Sequence, residues 1–493
     1  MKITFSVRIK TGIIIFFIII FFASIWSLRL YTDWGVDYGV YYVGSNLLSD
    51  SYRLYDEHID HKGPGIYALL KIIGSIAGYG VIQAYVSLTI IVVLLMLAIL
   101  ILVLKHQKDI LPPIISLALI GALMSVMDTN SSIAMLQTAA LLLMYLFILK
   151  NDSQEGFSYS DVALAGVFWG LGVITRIDAF LYYLIFPFML IVGKKCQLKQ
   201  KVFILFFPIL SVFLLVIFFS YVMNFSLQNY WIFNWGFNQN YKKSMGTLNL
   251  SLFFRPKHFS ILMQSGVILY FFAVIINLKL TMSDWKNLLI KNKTKIILFV
   301  VPLLIFFLTN SDKHYHLLIL LPGILVLAIM LPLKEKIVQL SVLLILTLVI
   351  FFNTMTFAKN FAKDITKGNA FKMKDAEDIA VIDLLKRDPE IITIYSRPWH
   401  HLFTKKNPKI GILPHMIFQK SFFDRIPEKA QEIKNKHNSL IYLKKGEKFI
   451  IEKYIRDEPS DIILKLLNKS HIVERIGALY ELRIMDMDLV GET

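Results

Sequence analysis

Long apolar runs alternate with short polar breaks along most of the chain. The runs approach the roughly 20 residues that a helix needs to cross a hydrocarbon core, and in lipid such runs satisfy their backbone hydrogen bonds as helices. The pattern predicts eleven spans, at residues 11–30, 81–104, 112–127, 133–149, 161–175, 178–192, 203–223, 260–278, 296–309, 317–333 and 338–357. A shorter run at 66–77, followed by Gly78-Tyr79-Gly80, predicts a half-inserted or interfacial helix.

Lysine and arginine are unevenly distributed between the two sides that these spans define. With the N-terminus inside, the inner segments hold 17 basic residues and the outer segments hold nine. Because cytoplasmic loops carry the excess of positive charge, this distribution predicts a cytoplasmic N-terminus. The first span follows Lys2, Arg8 and Lys10 and precedes no small-residue cleavage site, so we expect an uncleaved signal anchor.

The composition becomes strongly charged after residue 357. An odd number of spans places this part outside the cytoplasm, and its periodicity predicts a helix at 376–387 and strands at 391–395, 439–443 and 478–484. We therefore expect a mainly α, polytopic membrane protein of the plasma (inner) membrane. A transmembrane domain would occupy residues 1–357, and a small soluble α/β domain, residues 358–493, would be extracytoplasmic.

Composition narrows the functional classes. Hydrophobic residues make up 56% of the 493 residues, above the roughly 45–50% of soluble proteins. Basic residues beside the spans account for the net charge of +17, so we expect no nucleic-acid partner. Cys196 is the only cysteine, which excludes an intramolecular disulfide. The sequence contains no Walker A loop, no GxSxG, no CxxC pair and no GxGxxG after a strand.

Unusual polar residues beside the spans cluster on the predicted outer side, where ionisable groups often belong to a functional site. They are Asp37, His61, Lys62, Asp128, Asn130, Arg176, the stretch 229–241 and the stretch 312–316. The first outer loop, residues 33–66, has Asp37 near its start and His61-Lys62-Gly63-Pro64-Gly65 near its end. A carboxylate and a cation in one loop suit deprotonation of one substrate and binding of an anionic group on another.

Each candidate also has a structural interpretation. Asp37 is either a base in a cavity walled by small and aromatic residues or a solvated helix cap. Lys62 either binds an anion near the bilayer surface or only extends its ammonium to water beside a Pro/Gly turn. Arg176 either contacts a phosphate or sugar or only pairs with Asp178. His314, which flanks Tyr315 together with His316, is either interfacial or part of an incomplete metal site.

The order of these motifs resembles the GT-C superfamily of membrane glycosyltransferases, specifically the dolichyl-phosphate-mannose protein mannosyltransferase and aminoarabinose transferase type (glycosyltransferase 39-like). The resemblance covers about residues 10 to 335 and rests on these pieces: Asp37 with Gly-Val-Tyr-Tyr after it, Tyr52-Arg53, His61-Lys62-Gly63-Pro64-Gly65, Thr129-Asn130, Ala165-Gly166 through Arg176, and His314-Tyr315 before Leu320-Leu321-Pro322. Three positions depart from the family pattern: Tyr38 stands where a Glu is frequent, Gly63 where a Pro is frequent, and Ser132 in a region where an acid is common.

The resemblance implies an inverting transfer of a hexose or pentose from a polyprenyl-phosphate donor to an extracytoplasmic glycan, lipid or protein. Asp37 would be the general base, and Lys62, His61 and Arg176 would bind the donor phosphate. Tyr41, Asn130, His314 and Tyr315 are candidate substrate-binding residues. No cofactor is expected, and dependence on a divalent metal stays open.

Two other functions stay open. A transporter or flippase for lipid-linked sugars would also combine many spans with polar groups, although such folds usually show repeated halves and interrupted helices. A polysaccharide polymerase or ligase would depend on Arg and His in a large late external loop. The loop at residues 224–258 has that position, but Arg255 is its only arginine.

Overall fold

The computed structural model describes the chain in separate stretches. They are residues 2–32, 36–49, 53–56, 58, 60, 62–106, 111–153, 157–192, 197–236, 256–277, 292–309, 314–330, 333, 335–366, 376–387, 392–394, 399–400, 439–443, 470–476 and 480–485. The predicted site residue His61 lies outside these stretches, as do Tyr52 and residues 237–241 and 312–313.

Helices form nearly all of the described chain up to residue 366. They are α1 (Lys2–Ser27), α2 (Arg29–Thr32), α3 (Val36–Leu47), α4 (Pro64–Ala77), α5 (Val81–His106), α6 (Leu111–Met124), α7 (Ser132–Ser153), α8 (Tyr159–Thr175), α9 (Ile185–Val192), α10 (Leu198–Met223), α11 (Leu227–Tyr230), α12 (Pro256–Gln264), α13 (Val267–Asn277), α14 (Lys293–Thr309), α15 (Leu321–Met330) and α16 (Lys336–Thr366). Tighter 3-10 helices cover Thr129–Ser131, Ile177–Leu184 and His314–Leu320, and a wider π-type turn covers Trp231–Gly236.

Four helical segments among the described residues are long and apolar enough to cross a membrane: Val81–His106, Thr129–Asp152, Leu198–Met223 and Lys336–Thr366. Shorter apolar helices accompany them, including α4, α6 and α8. α10 and α16 bury only 22% and 17% of their most apolar windows and turn rows of phenylalanines outward. Outward apolar surface of this extent indicates a lipid environment, so the protein is an integral membrane protein. The count of eleven spans and the orientation of the termini stay predictions.

Three predicted spans are divided into two helical segments. The span predicted at 178–192 begins as a 3-10 helix and becomes α only at Ile185, and the one at 317–333 has the same form, with α15 beginning at Leu321. The span predicted at 260–278 is divided between α12 and α13, because Gly266 takes a φ of +71°, which ends one helix before the next begins. Apolar periodicity shows none of these divisions, since both segments are apolar.

α7 is at the centre of the bundle and packs against α5 and α8, while α8 also packs against α10. Polar anchors tie distant segments together at one end. The Trp26 indole donates to the carbonyl of Met124 (2.7 Å), and the Arg29 guanidinium donates to the carbonyls of Ser125 and Met127. These bonds fix the turn that leads into Thr129–Ser131, which in turn contacts α3.

The described residues beyond Thr366 contain helix α17 (Ala376–Arg387) and four strands, β1 (Ile392–Ile394), β2 (Ser439–Leu443), β3 (Ser470–Ile476) and β4 (Tyr480–Met485). The strands form a sheet in the order β1-β2-β4-β3, with β1 and β2 parallel and the other pairs antiparallel. α17 contacts β3. α16 continues beyond the expected boundary at residue 357 to Thr366, and the division into two domains stays a prediction.

Candidate active site

Asp37 lies in the first turn of α3, where a carboxylate is favoured by the positive end of the helix dipole. Its backbone N–H donates to the Asn130 side-chain oxygen at 3.0 Å. Asn130 stands in the 3-10 turn Thr129–Ser131, so its oxygen satisfies one of the amides that an α-helix leaves unpaired at its start. This bond fixes the position of Asp37, whose side chain is partly exposed.

Tyrosines on the opposite face hold α3 against the bundle. The Tyr38 hydroxyl donates to the carbonyl of Ala84 (2.7 Å), and the Tyr42 hydroxyl donates to the carbonyl of Gly80 (2.9 Å). Tyr38 is fully buried and directed at α5. The side chain that stands where family members frequently have Glu therefore has a packing role here, which leaves Asp37 as the acid of this helix.

The turn Gly63-Pro64-Gly65 places Lys62 against the end of α8. Pro64 occupies the first turn of α4, where its fixed φ suits a helix start. A Cβ on Gly63 would lie 1.9 Å from the backbone oxygen of Ile174, and one on Gly65 would lie 2.7 Å from Thr175 Oγ1. The close backbone contact therefore requires glycine at 63. The Tyr55 hydroxyl donates to the carbonyl of Lys62 at 2.6 Å and fixes the loop from its other side.

Arg176 follows α8 directly and is 6% exposed. Its Nη2 donates to Asp178 Oδ2 at 2.8 Å, while the Gln137 amide donates to Asp178 Oδ1 at 2.6 Å. The pair with Asp178 therefore exists, and it stands beside the Lys62 turn, whereas contact of Arg176 with a phosphate or sugar stays a prediction. Charge-assisted bonds of this kind hold a guanidinium in one orientation.

The charges of this region act on Lys62. Burial lowers the pKa of the Lys62 ammonium, and the positive charge of Arg176 lowers it further, whereas Asp37, Asp60 and Asp178 oppose these effects. Lys62 thus has a second cation and three carboxylates near enough for electrostatic interaction. Within the described part of the chain, neither the Lys62 ammonium nor the Asp37 carboxylate forms a hydrogen bond or salt bridge. The structure brings Asp37, Lys62 and Arg176 together from three separate parts of the sequence.

A buried polar network supports the same loop and was not predicted. The Tyr67 hydroxyl donates to Asp60 and lies 3.2 Å from His58 Nε2. All three side chains are almost fully buried, and burial lowers the pKa of His58 to about 4, against the opposing effect of Asp60. Asp60 directly precedes the His61-Lys62 motif. An acid next to two basic residues was the signal in the sequence that could have predicted this network.

The structure also describes the positions of three candidate substrate-binding residues, Tyr41, His314 and Tyr315. Tyr41 is buried and packs edge-on against Tyr67, with ring centroids 5.9 Å apart. His314 and Tyr315 begin the 3-10 helix His314–Leu320, which the Tyr182 hydroxyl anchors through the carbonyl of Ile319 (2.6 Å). Among the residues that the structure describes, no group of three or more His, Cys, Asp or Glu could hold a metal ion.

An apolar cavity of about 250 Å³ opens beside the same 3-10 helix. It lies between α12, α13, α14 and the start of α15, and its described lining includes none of the predicted site residues. Its walls are Leu262, Val267, Ile268, Phe271, Phe272, Phe299, Leu303, Leu320 and Ile324. A cavity with such walls suits a hydrocarbon and no polar ligand.

The bundle shares its fold with an aminoarabinose transferase, which confirms the predicted resemblance at the level of the fold. It is similar to ArnT, the aminoarabinose transferase, from Cupriavidus metallidurans. The apo crystal structure of ArnT matches 99% of this chain and 100% of its own chain, with a TM-score of 0.59 and 10% sequence identity. The structure of the same ArnT bound to undecaprenyl phosphate matches 98% and 99% of the two chains, with a TM-score of 0.58 and 10% identity. No protein-family model and no curated protein sequence matches the chain.

Proposed function

We propose that the protein is a glycosyltransferase that moves a sugar from a polyprenyl-phosphate donor to an extracytoplasmic acceptor. The observation that carries the proposal is the convergence of Asp37, Lys62 and Arg176 in one electrostatic site. A carboxylate and an arginine that both act on the same lysine provide for the two charge movements of glycosyl transfer to a hydroxyl. The ArnT fold, which has been seen with undecaprenyl phosphate bound, supports a lipid phosphate as the donor.

In the proposed reaction, the acceptor hydroxyl oxygen attacks the anomeric carbon while the bond from that carbon to the phosphate oxygen breaks. The hydroxyl proton passes to the Asp37 carboxylate as the bond between the acceptor oxygen and the anomeric carbon forms. The departing polyprenyl phosphate gains negative charge, which Lys62 and Arg176 stabilise. Attack from the face opposite the phosphate inverts the anomeric configuration. His61 is assigned to the phosphate as well, and Tyr41, His314 and Tyr315 to substrate binding.

The apolar cavity beside His314–Leu320 supports binding of a long isoprenoid chain. Its aromatic and aliphatic walls match the donor's lipid in polarity. Because the donor's lipid enters from the bilayer and not from water, affinity in such a cavity would come from close packing of the isoprene units against its walls. The sugar phosphate itself would remain at the Lys62 turn, where the fixed charges are.

The decisive experiment measures sugar transfer by the purified protein in nanodiscs. Undecaprenyl-phosphate hexoses and pentoses are supplied one at a time together with a membrane extract containing acceptors, and the release of undecaprenyl phosphate is measured. We expect Asp37→Asn to lower kcat by about 10²- to 10⁴-fold, the range of a lost general base. Asp152→Asn is the matched control, because Asp152 accepts a hydrogen bond from Thr294 far along the chain from this loop.

Lys62→Ala is expected to raise KM for the donor and to weaken binding of undecaprenyl phosphate itself. Lys386→Ala is its control, since Lys386 is an exposed lysine of α17. Normal turnover by Asp37→Asn would contradict the role of this residue as the base. Movement of lipid-linked sugar between leaflets without release of undecaprenyl phosphate would instead favour the flippase alternative, and transfer of whole repeat units would favour the polymerase or ligase.

A further inference from the structure

Trp399, from the region beyond the last long helix, packs directly on α3. Its ring lies 6.2 Å from the ring of Tyr42 at an interplanar angle of 27°, and 6.1 Å from that of Tyr38. Gly39 forms the floor of this contact, because a Cβ there would lie 2.7 Å from Trp399 Nε1 and 2.8 Å from Cε2. Gly39 is two residues after Asp37, so the indole contacts α3 within one turn of the carboxylate.

The indole is held rigidly from its own side. Trp399 is fully buried, and so is the adjacent His400, whose Nε2 lies 2.9 Å from Asp378 Oδ1 on α17. Buried polar pairs of this kind fix one arrangement, because breaking them leaves polar atoms without partners. Trp399 is therefore attached to α17 through its neighbour while its ring lies against α3.

α3 is thus held from several directions around Asp37. Asn130 binds its first amide, Tyr38 and Tyr42 anchor it to the segment Gly80–Ala84, and Trp399 covers Gly39. The first three contacts come from the bundle, whereas the last comes from the C-terminal region. Displacement of a reacting group by about 1 Å can cost about 10²-fold in rate, so a contact within one helical turn of the base affects the chemistry.

We propose that Trp399 is a positioning residue for Asp37, through which the C-terminal region sets the rate of sugar transfer. The inference rests on the proposed function, because it takes Asp37 as the general base. It assigns the C-terminal region a role in catalysis, whereas composition and topology alone indicate no role for this region. Any acceptor that displaces Trp399 on binding to that region would change the alignment of the base.

The test is a double-mutant cycle between Gly39 and Trp399 in nanodiscs. Trp399→Ala is expected to lower kcat by about 10-fold or more while KM for the undecaprenyl-phosphate sugar stays within about twofold, since the base moves and the phosphate site does not. Gly39→Ala should lower kcat as well, because its methyl group meets the rigid indole. Gly12→Ala is the matched control, because a Cβ at Gly12 meets no atom within 4 Å.

In the double variant the added methyl group has space, so its kcat should equal that of Trp399→Ala alone instead of showing the product of both losses. Trp399→Phe, which retains a ring, should lose less activity than Trp399→Ala. Losses that simply multiply, or a kcat for Trp399→Ala within twofold of the parent, would overturn the proposal.

Hydrogen exchange of the peptide that contains α3 separates this proposal from the proposed function. Exchange at residues 36–47 should be faster in Trp399→Ala than in the parent and should be unaffected by Gly12→Ala. If no undecaprenyl-phosphate sugar is consumed by the parent protein, the proposed function fails, and the exchange rates still decide whether Trp399 restrains α3. Unchanged exchange would remove the restraint and with it the proposal.

Discussion

At the scale of single residues, the proposed reaction depends on one lysine, Lys62, whose protonated form is disfavoured by its surroundings. Burial and Arg176 lower the pKa of Lys62, and only the nearby carboxylates oppose this. A lysine in such surroundings loses its proton more readily than one in water, and with it the charge that holds a phosphate. The same surroundings make the cation sensitive to the loss of any of those carboxylates.

The first prediction concerns how the affinity for undecaprenyl phosphate falls at alkaline pH, which is called the alkaline limb below. As pH rises through the lowered pKa of Lys62, the ammonium loses its charge, so binding of undecaprenyl phosphate should weaken at a pH below the usual value for lysine. Lys62→Arg should move this limb to higher pH, because a guanidinium stays protonated. Titration of undecaprenyl phosphate binding against pH measures both. Identical limbs in the parent and in Lys62→Arg would contradict the role of Lys62.

The second prediction concerns His58. The pKa of this buried imidazole is about 4 in the folded protein, against 6.5 for its usual value. The unfolded chain therefore binds a proton at His58 more readily than the folded protein does. The contribution of neutral His58 to folding stability is fully present above pH 6.5 and is lost as pH falls from 6.5 toward 4. The melting temperature of the parent should fall more over this window than that of His58→Gln. Parallel curves for the two proteins would show that His58 does not cause the acid sensitivity.

At the scale of secondary-structure elements, the turn before α4 decides where the cation lies. Sequence identified this turn as a site, because Pro64 and its flanking glycines before an apolar run predict a sharp helix start. It did not identify the reason for Gly63, which is the carbonyl of Ile174 against which the turn packs. That contact joins residues more than a hundred positions apart, and local propensity carries no information about it.

The third prediction is that Gly63→Ala lowers donor affinity and transfer by about 10-fold or more, because the added methyl group moves Lys62 away from α8. Gly172→Ala is the matched control on α8, since its methyl group would meet Leu141 at an ordinary 3.4 Å. The measurements are KM for the donor and the melting temperature of each variant. A Gly63→Ala protein with the parent's KM would show that the turn tolerates displacement.

At the scale of the whole molecule, hydropathy and motif order predicted the membrane class and the fold that the chain shares with ArnT. The apolar runs recur many times and the motifs follow one another over a long stretch of chain, so an error in any single span boundary does not change either prediction. The features that were not predicted are local breaks in helices and contacts between distant residues. The divided spans, the hydrogen bond from the Asp37 N–H to the Asn130 side chain and the contact of Trp399 with Gly39 depend on which groups meet in three dimensions. A single sequence carries no such pairing.

The fourth prediction tests the predicted orientation of the bundle. In a Cys196→Ser background, Asn46→Cys places a thiol at an exposed position near the end of α3. A membrane-impermeant maleimide should label this thiol in intact cells. Cys196 lies between the spans predicted at 178–192 and 203–223, on the predicted cytoplasmic side, so in the parent it should be labelled only after permeabilisation. Labelling in the reverse order would place the loop that contains Asp37 and Lys62 in the cytosol, where the proposed acceptors are absent.

The length of α16 has a mechanical consequence. A helix of 31 residues is about 46 Å long, which exceeds a hydrocarbon core of roughly 30 Å even when the helix is moderately tilted. Its last turns, at residues 358–366, carry Lys359, Lys363 and Asp364, which favour water over hydrocarbon, so these turns extend beyond the apolar layer. Because those turns are helical, the chain leaves the apolar layer in one fixed direction, which restricts where the following segment can begin.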